Sequence, residues 1–233
     1  MMLKLGLDSF SYRRSLEALT PREAVAWMVD KVVDLQLDGV QFDPMHLEKW
    51  NPDLVREIGS LCGERGLYLE LGSGGFEYDH LLKRIELAAE VGARCVRTFI
   101  SWERGEVGEE GVKQIIGFAT PHLARLGPEA AELGVPIAVE NHEDLTSVEL
   151  SGMLDEIGSS SIRACVDTGN ALSVGEDPEE CVRRLAPYAA ASHLKDWVVS
   201  VVDGKLVRTS APFGMGDSKL ERGFRILRDA QPD

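Results

Sequence analysis

Short apolar runs alternate along the chain with longer stretches whose apolar positions repeat at helical spacing. Leu3-Lys-Leu-Gly-Leu7 reads as a first strand, followed by a polar turn at Asp8-Ser-Phe-Ser11. Thr20-Pro-Arg-Glu23 then supplies an N-cap, a proline at the first helical position and a glutamate three residues after the cap. Behind it Ala24, Val25, Met28, Val32 and Leu35 fall at helical spacing up to Gly39. Gly39-Val-Gln-Phe-Asp43 is a second strand, Asn51-Pro52 opens a second helix, and Gly66 closes it before Leu67-Tyr-Leu-Glu-Leu71. A helix over about 78–91 leads to the strand Arg94-Cys-Val-Arg-Thr-Phe99. A long helical region follows at about 110–133, where Pro121 and Pro128 predict a bend or break. Further strands are predicted near 136–140, 163–167 and 190–194, and a last helix near 218–230.

The unit of helix, glycine, apolar strand and polar loop recurs at Gly39, Gly66, Gly92 and Gly134. Such alternation predicts parallel strands joined by crossover helices. Seven strands are found, with two further apolar runs around Asp203-Gly204 that read as a hairpin above the barrel. The expected architecture is an α/β (β/α)8 TIM barrel whose eighth strand is missing from this sequence, forming one domain over 1–233 without linkers. Either the natural chain continues past Asp233 or the barrel stays open. Continuation is expected, because an open edge exposes unpaired backbone; otherwise strand one should turn a free edge toward strand seven.

Composition narrows the function classes. Hydrophobic residues at 44% and charged residues at 27% describe a soluble globular chain. No apolar run reaches the length of a membrane span, and the N-terminus lacks the features of a signal peptide. Cys62, Cys95, Cys165 and Cys181 are scattered without a C-x-x-C pair, which predicts buried reduced thiols and a cytoplasmic setting. A net charge of −14 repels nucleic-acid phosphates, so neither nucleic acid nor membrane is an expected partner. A homo-oligomer stays open.

The chemistry gathers at three strand ends. In Pro136-Ile-Ala-Val-Glu140 the strand alternation puts Glu140 on the face of Ala138; Asp167 follows Cys165, and His193 follows Ala191, in the same way. Three strands thus end in a metal-type ligand above a small residue, 27 and 26 positions apart. At the C-terminal mouth of a barrel these groups would converge. Two carboxylates and an imidazole suit a divalent ion such as Mn2+, Mg2+, Co2+ or Zn2+ with positions open for substrate. The plainer reading has each acid cap the next helix and His193 satisfied in the core. Gathering Glu140 and Asp167 without a metal should raise at least one carboxyl pKa.

Val139-Glu-Asn-His142, Cys165-Val-Asp-Thr-Gly-Asn170 and Ser192-His-Leu-Lys-Asp196, with Gly214-Met-Gly-Asp217 after them, resemble the sugar phosphate isomerase/epimerase family of xylose-isomerase-like barrels. The resemblance covers nearly the whole chain. It implies a divalent metal held by Glu140, Asp167 and His193, a fourth glutamate ligand on a strand eight that this sequence lacks, and acid/base work by Glu140. It implies isomerisation or epimerisation of a sugar or sugar-like polyol through a metal-stabilised enediolate. A metal-dependent dehydratase of a keto-polyol and a non-catalytic sugar-binding barrel are the alternatives. Where related nucleases carry a histidine three residues after the strand-six aspartate, this chain has Asn170, which argues against a nuclease.

Other polar residues are secondary candidates. His142 and Asn170 could bind substrate hydroxyls, and Lys195 could meet an anionic or carbonyl oxygen or pair with Asp196. Arg97 needs an ion-pair partner if it faces inward. Trp102 and Phe10 could form an apolar wall for a sugar face, and His80 and His122 read as surface residues on helices.

Overall fold

The computed structural model describes residues 3–101 and 104–230. The seven predicted strands all form: β1 Gly6–Asp8, β2 Gly39–Phe42, β3 Tyr68–Gly72, β4 Val96–Thr98, β5 Ile137–Glu140, β6 Ile162–Asp167 and β7 Ala189–His193. They lie parallel in sequence order in one sheet, and β1 and β7 are its free edges among the described residues. The expected barrel sheet is therefore present as seven parallel strands, with no eighth strand closing it among the described residues. The hairpin strands β8 Trp197–Val202 and β9 Lys205–Ser210 pair antiparallel. Asp203 and Gly204 both take positive φ, at 50° and 75°, as a tight two-residue hairpin turn requires.

The helices start and stop where the sequence places their caps. Pro21–Asp34 opens with the Thr20/Glu23 capping box, and Ser147–Ile157 with a second box formed by Thr146 and Glu149. Pro52–Arg65 begins under the Asn51 side chain and ends at Gly66, whose φ of 67° is left-handed. Met28, Ile58, Ile85, Leu123, Leu126 and Leu150 are fully buried and form part of the main apolar core.

The first strand and the approach to the long helix differ from the expectation. The first strand runs over Gly6–Asp8, because Asp8 accepts the Phe10 N–H at 2.8 Å and caps a short 3-10 turn at Ser9–Tyr12. Leu5 is tied instead to Asp38, donating to its carboxylate at 2.8 Å and accepting its N–H at 2.7 Å. The helical segment Arg104–Leu133 is interrupted at Gly108, so the long helix beyond it matches the expected 110–133. The non-helical residue is Gly108 rather than Pro121 or Pro128. Gly108 takes φ 68°, ψ 174°, a conformation open to glycine and strained for other residues.

A second, smaller cluster lines the sheet's other face. Cys95, Ala138, Cys165 and Ala191 pack together there, each two residues before Arg97, Glu140, Asp167 and His193 respectively. Small side chains leave room above them for long polar ones. The four cysteines are buried and free, as expected.

After β7 the chain is organised by one carboxylate. Asp196 is buried and accepts the N–H groups of Gly214, Gly216 and Ser218 at 2.8, 3.0 and 3.2 Å. A Cβ at Gly216 would fall 2.2 Å from Asp196 Oδ1, so only glycine fits the approach. Asp196→Ala strands these donors and is expected to cost about 1–3 kcal/mol per unsatisfied group at most. Limited proteolysis should then cut the variant within 211–218, where the wild type resists.

Candidate metal centre at the barrel mouth

Strand alternation turns Arg97, Glu140, Asp167 and His193 to the same side of the sheet, above the small-residue cluster. Glu140 and Asp167 are fully buried. Glu140 Oε1 stands 3.3 Å from His193 Nδ1, and Asp167 Oδ2 stands 3.9 Å from the same nitrogen. The three residues singled out in the sequence are thus brought together. Asp167 is held by its other oxygen, which accepts the Gly169 and Asn170 N–H groups at 2.9 Å each. Asn141 fixes the backbone beside it, donating to Asp167 O at 3.0 Å and accepting from Asp167 N at 2.8 Å.

Cations balance the two acids. Arg97 is buried and forms an ion pair with Glu140, while its Nη1 finds no hydrogen-bond partner and lies 3.9 Å from Asp43 Oδ2. Lys195 Nζ is 2.7 Å from Asp167 Oδ2 and 3.6 Å from Glu140 Oε1. It does not bond Asp196, which is fully engaged with the 214–218 amides. Asn170 is buried and donates to Glu140 Oε1 at 3.2 Å.

The expected rise of a carboxyl pKa does not occur at Glu140. Burial alone would raise it, but Arg97, His193 and Lys195 outweigh burial and hold Glu140 well below the usual carboxylate range. Burial likewise works against the His193 imidazolium, yet the facing Cys165 and Glu140 keep its pKa well above the ordinary value. The three cations facing one carboxylate come from β4, β7 and the residues just after β7, a convergence that spacing along the chain does not encode.

His142 stacks on Phe99, with centroids 4.6 Å apart and planes at 22°. Phe10 is exposed, with the Arg13 guanidinium 4.4 Å from its ring centre, and Trp102 lies outside the described residues. His80 and His122 are half-buried rather than surface residues: His80 Nε2 shares a 2.9 Å hydrogen bond with Ser73, and His122 packs edge-on against Phe76. Gln41, Glu70 and Asp8 escaped attention in the sequence. All three are polar residues at strand positions, and Gln41 and Glu70 lie at buried ones, a pattern that marks a lined interior.

A divalent ion fits the donors present. Glu140, Cys165 and His193 each offer a ligand atom within 4.8 Å of one another. Asp167 Oδ2 is buried and faced by Lys195 Nζ at 2.7 Å, so it would become a ligand to an ion that displaced that ammonium. Hard oxygens with one imidazole suit Mn2+ or Mg2+, and the added thiol would favour Zn2+ or Co2+.

Breaking the buried pair tests the charge balance. In the metal-free protein, Glu140→Gln leaves Arg97 without its main countercharge and is expected to lower stability by about 3 kcal/mol or more, measured by urea unfolding. Glu140 is depressed in the folded state, so its contribution is complete above its unfolded pKa of about 4.3. It fades as pH falls from there toward the lower folded value. The gap between wild type and Glu140→Gln should therefore be largest near neutrality and narrow in acid.

Comparison with known proteins agrees with the architecture. Residues 29–232 match the family model described as xylose isomerase-like TIM barrel. The chain is 22% identical over 205 residues to 3-oxo-isoapionate decarboxylase of Pectobacterium atrosepticum, covering 88% of this chain and 72% of that protein. Its fold is similar to that of an L-ribulose 3-epimerase, with a TM-score of 0.71 at 17% identity over 98% of this chain and 78% of the other. It is also similar to the probable 3-DHS dehydratase AsbF of Bacillus anthracis, with a TM-score of 0.68 at 14% identity over 98% and 90%. With the matched region spanning most of its length and the strand order that such a barrel requires, the chain belongs to the xylose isomerase-like TIM barrel family.

Proposed function

We propose that the protein is a divalent-metal-dependent isomerase or epimerase of a sugar or sugar-like polyol. The observation that carries this reading is the convergence of Glu140 Oε1 and Asp167 Oδ2 on His193 Nδ1 at the C-terminal ends of β5, β6 and β7. Similarity in fold to sugar epimerases supports the substrate class.

A bound divalent ion would supply electrophilic stabilisation to a carbonyl oxygen and its neighbouring hydroxyl as the adjacent carbon loses its proton. Glu140 is the base that takes this proton. Its low pKa makes it a weak base in the metal-free state, so Arg97 must hold its charge less tightly when substrate is bound. Asn170, beside Glu140, orients the carboxylate and meets a substrate hydroxyl. His142, two residues beyond Glu140 and stacked on Phe99, is a further candidate for contact with a substrate hydroxyl. Lys195, the most exposed of the cluster's cations, meets a developing oxyanion.

Lys195 also favours a second reading. An ammonium 2.7 Å from Asp167 can deliver a proton to a departing β-hydroxyl or hold a substrate carboxylate. Those are the needs of a dehydratase and of a keto-acid decarboxylase, the activities that the names of two similar proteins state. All three reactions build charge next to a carbonyl. Epimerase and dehydratase both break a C–H bond there, the dehydratase then expelling the β-hydroxyl, and the decarboxylase breaks a C–C bond.

Incubation with a panel of ketoses, inososes and keto-acids, with Mn2+ in deuterated water, separates them. Epimerisation is expected to place deuterium on the carbon beside the carbonyl and to yield the epimer. Glu140→Gln should slow this by ~10²–10⁴-fold. Loss of water, or release of carbon dioxide with deuterium taken up at the carbon it leaves, in place of epimer formation would instead select the second reading.

A further inference from the structure

A chain of polar groups, buried at Gln41 and Glu70, leads away from His193. His193 Nε2 is 2.9 Å from Gln41 Oε1 on β2, and Gln41 Nε2 donates to Glu70 Oε2 on β3 at 2.8 Å. The other Glu70 oxygen accepts from Arg94 Nε at 2.7 Å, and the Arg94 guanidinium lies 3.5 Å from the centre of the Tyr68 ring. Gln41 and Glu70 are 4% and 5% exposed, so neither can exchange these partners for water.

The chain runs in one direction only. An ionised carboxylate accepts and cannot donate, so the Gln41 amide must turn its NH2 toward Glu70. Its carbonyl oxygen is then what faces His193, and an acceptor there requires a proton on Nε2. The nitrogen left for any other partner is Nδ1, the one beside Glu140 and Asp167. Asp8 Oδ2, at 3.6 Å from Nε2, is too distant to replace Gln41 as the acceptor.

We infer that Gln41, anchored by Glu70 and Arg94, is a positioning residue that fixes the His193 ring so that Nδ1 is presented to a metal at the barrel mouth. The inference rests on the metal-binding reading above. The partner of a ligating histidine's second nitrogen governs tautomer and ring orientation, and its loss typically costs 10–100-fold in metal affinity. Here that partner is a neutral amide, whose direction is set one residue further along by Glu70.

The test is Zn2+ titration calorimetry, paired with 15N NMR of the histidine rings in the Zn2+-loaded protein; the chain has five histidines. Wild type is expected to show His193 bound through Nδ1 with its proton on Nε2. Gln41→Leu should weaken Zn2+ binding 10–100-fold and lose that single-tautomer signature, while circular dichroism shows a retained fold. Gln41→Glu combined with Glu70→Gln reverses the pair. It places on β2 a carboxylate that accepts from both His193 and the new amide on β3, whose oxygen still meets Arg94. This double variant should bind Zn2+ within a few-fold of wild type and recover the signature. Unchanged affinity in Gln41→Leu, or a double variant no tighter than Gln41→Leu, would overturn the inference while leaving the metal site standing. A wild-type protein that takes up no Zn2+ would overturn both.

Discussion

Two carboxylates sit fully buried within reach of one imidazole, and everything at this end of the barrel is arranged around that fact. Removing a carboxylate from water without a partner is far more costly than any single contact can offset. Arg97 pairs with Glu140, Lys195 lies against Asp167, and His193 faces both. The result is a locally balanced cluster inside a chain whose net charge is −14. A divalent ion entering it would take over the neutralising role of Lys195 and release an ammonium toward the solvent side, where substrate arrives.

The barrel supplies the geometry that makes such a cluster possible. Parallel strands in sequence order bring residues far apart in the chain to one level, and the register pairs Glu140 with Cys165 and Asp167 with His193. Alanine and cysteine two residues earlier on each strand keep the floor low. Capped helices pack behind the sheet and leave the strand ends free to carry chemistry. Asp196, immediately after Lys195, gathers the 214–218 amides and holds that loop against the start of the hairpin.

Much of this was legible in the residues alone, and the parts that were not share a cause. The glycine-strand units and capping boxes are local signals, so the strands and helices could be read in order. Glu140, Asp167 and His193 stood out because each ends a strand above a small residue. The interruption at Gly108, just before the long helix, was not foreseen, because the signal for a left-handed residue is weaker in sequence than a proline's missing N–H. The pKa of Glu140 and the role of Gln41 depend on which side chains from other strands face them, and spacing does not encode that. Gln41 carried a faint signal as a polar residue at a buried position of a short strand.

The most direct measurement of the central claim is an anomalous difference map from a crystal of the Mn2+-loaded protein. The account predicts one strong peak at bonding distance from Glu140, Asp167 and His193 Nδ1, with Lys195 Nζ moved away from Asp167 and the Gln41 contact to Nε2 unchanged. A map with no peak there, or a peak elsewhere with Lys195 still seated on Asp167, would contradict it.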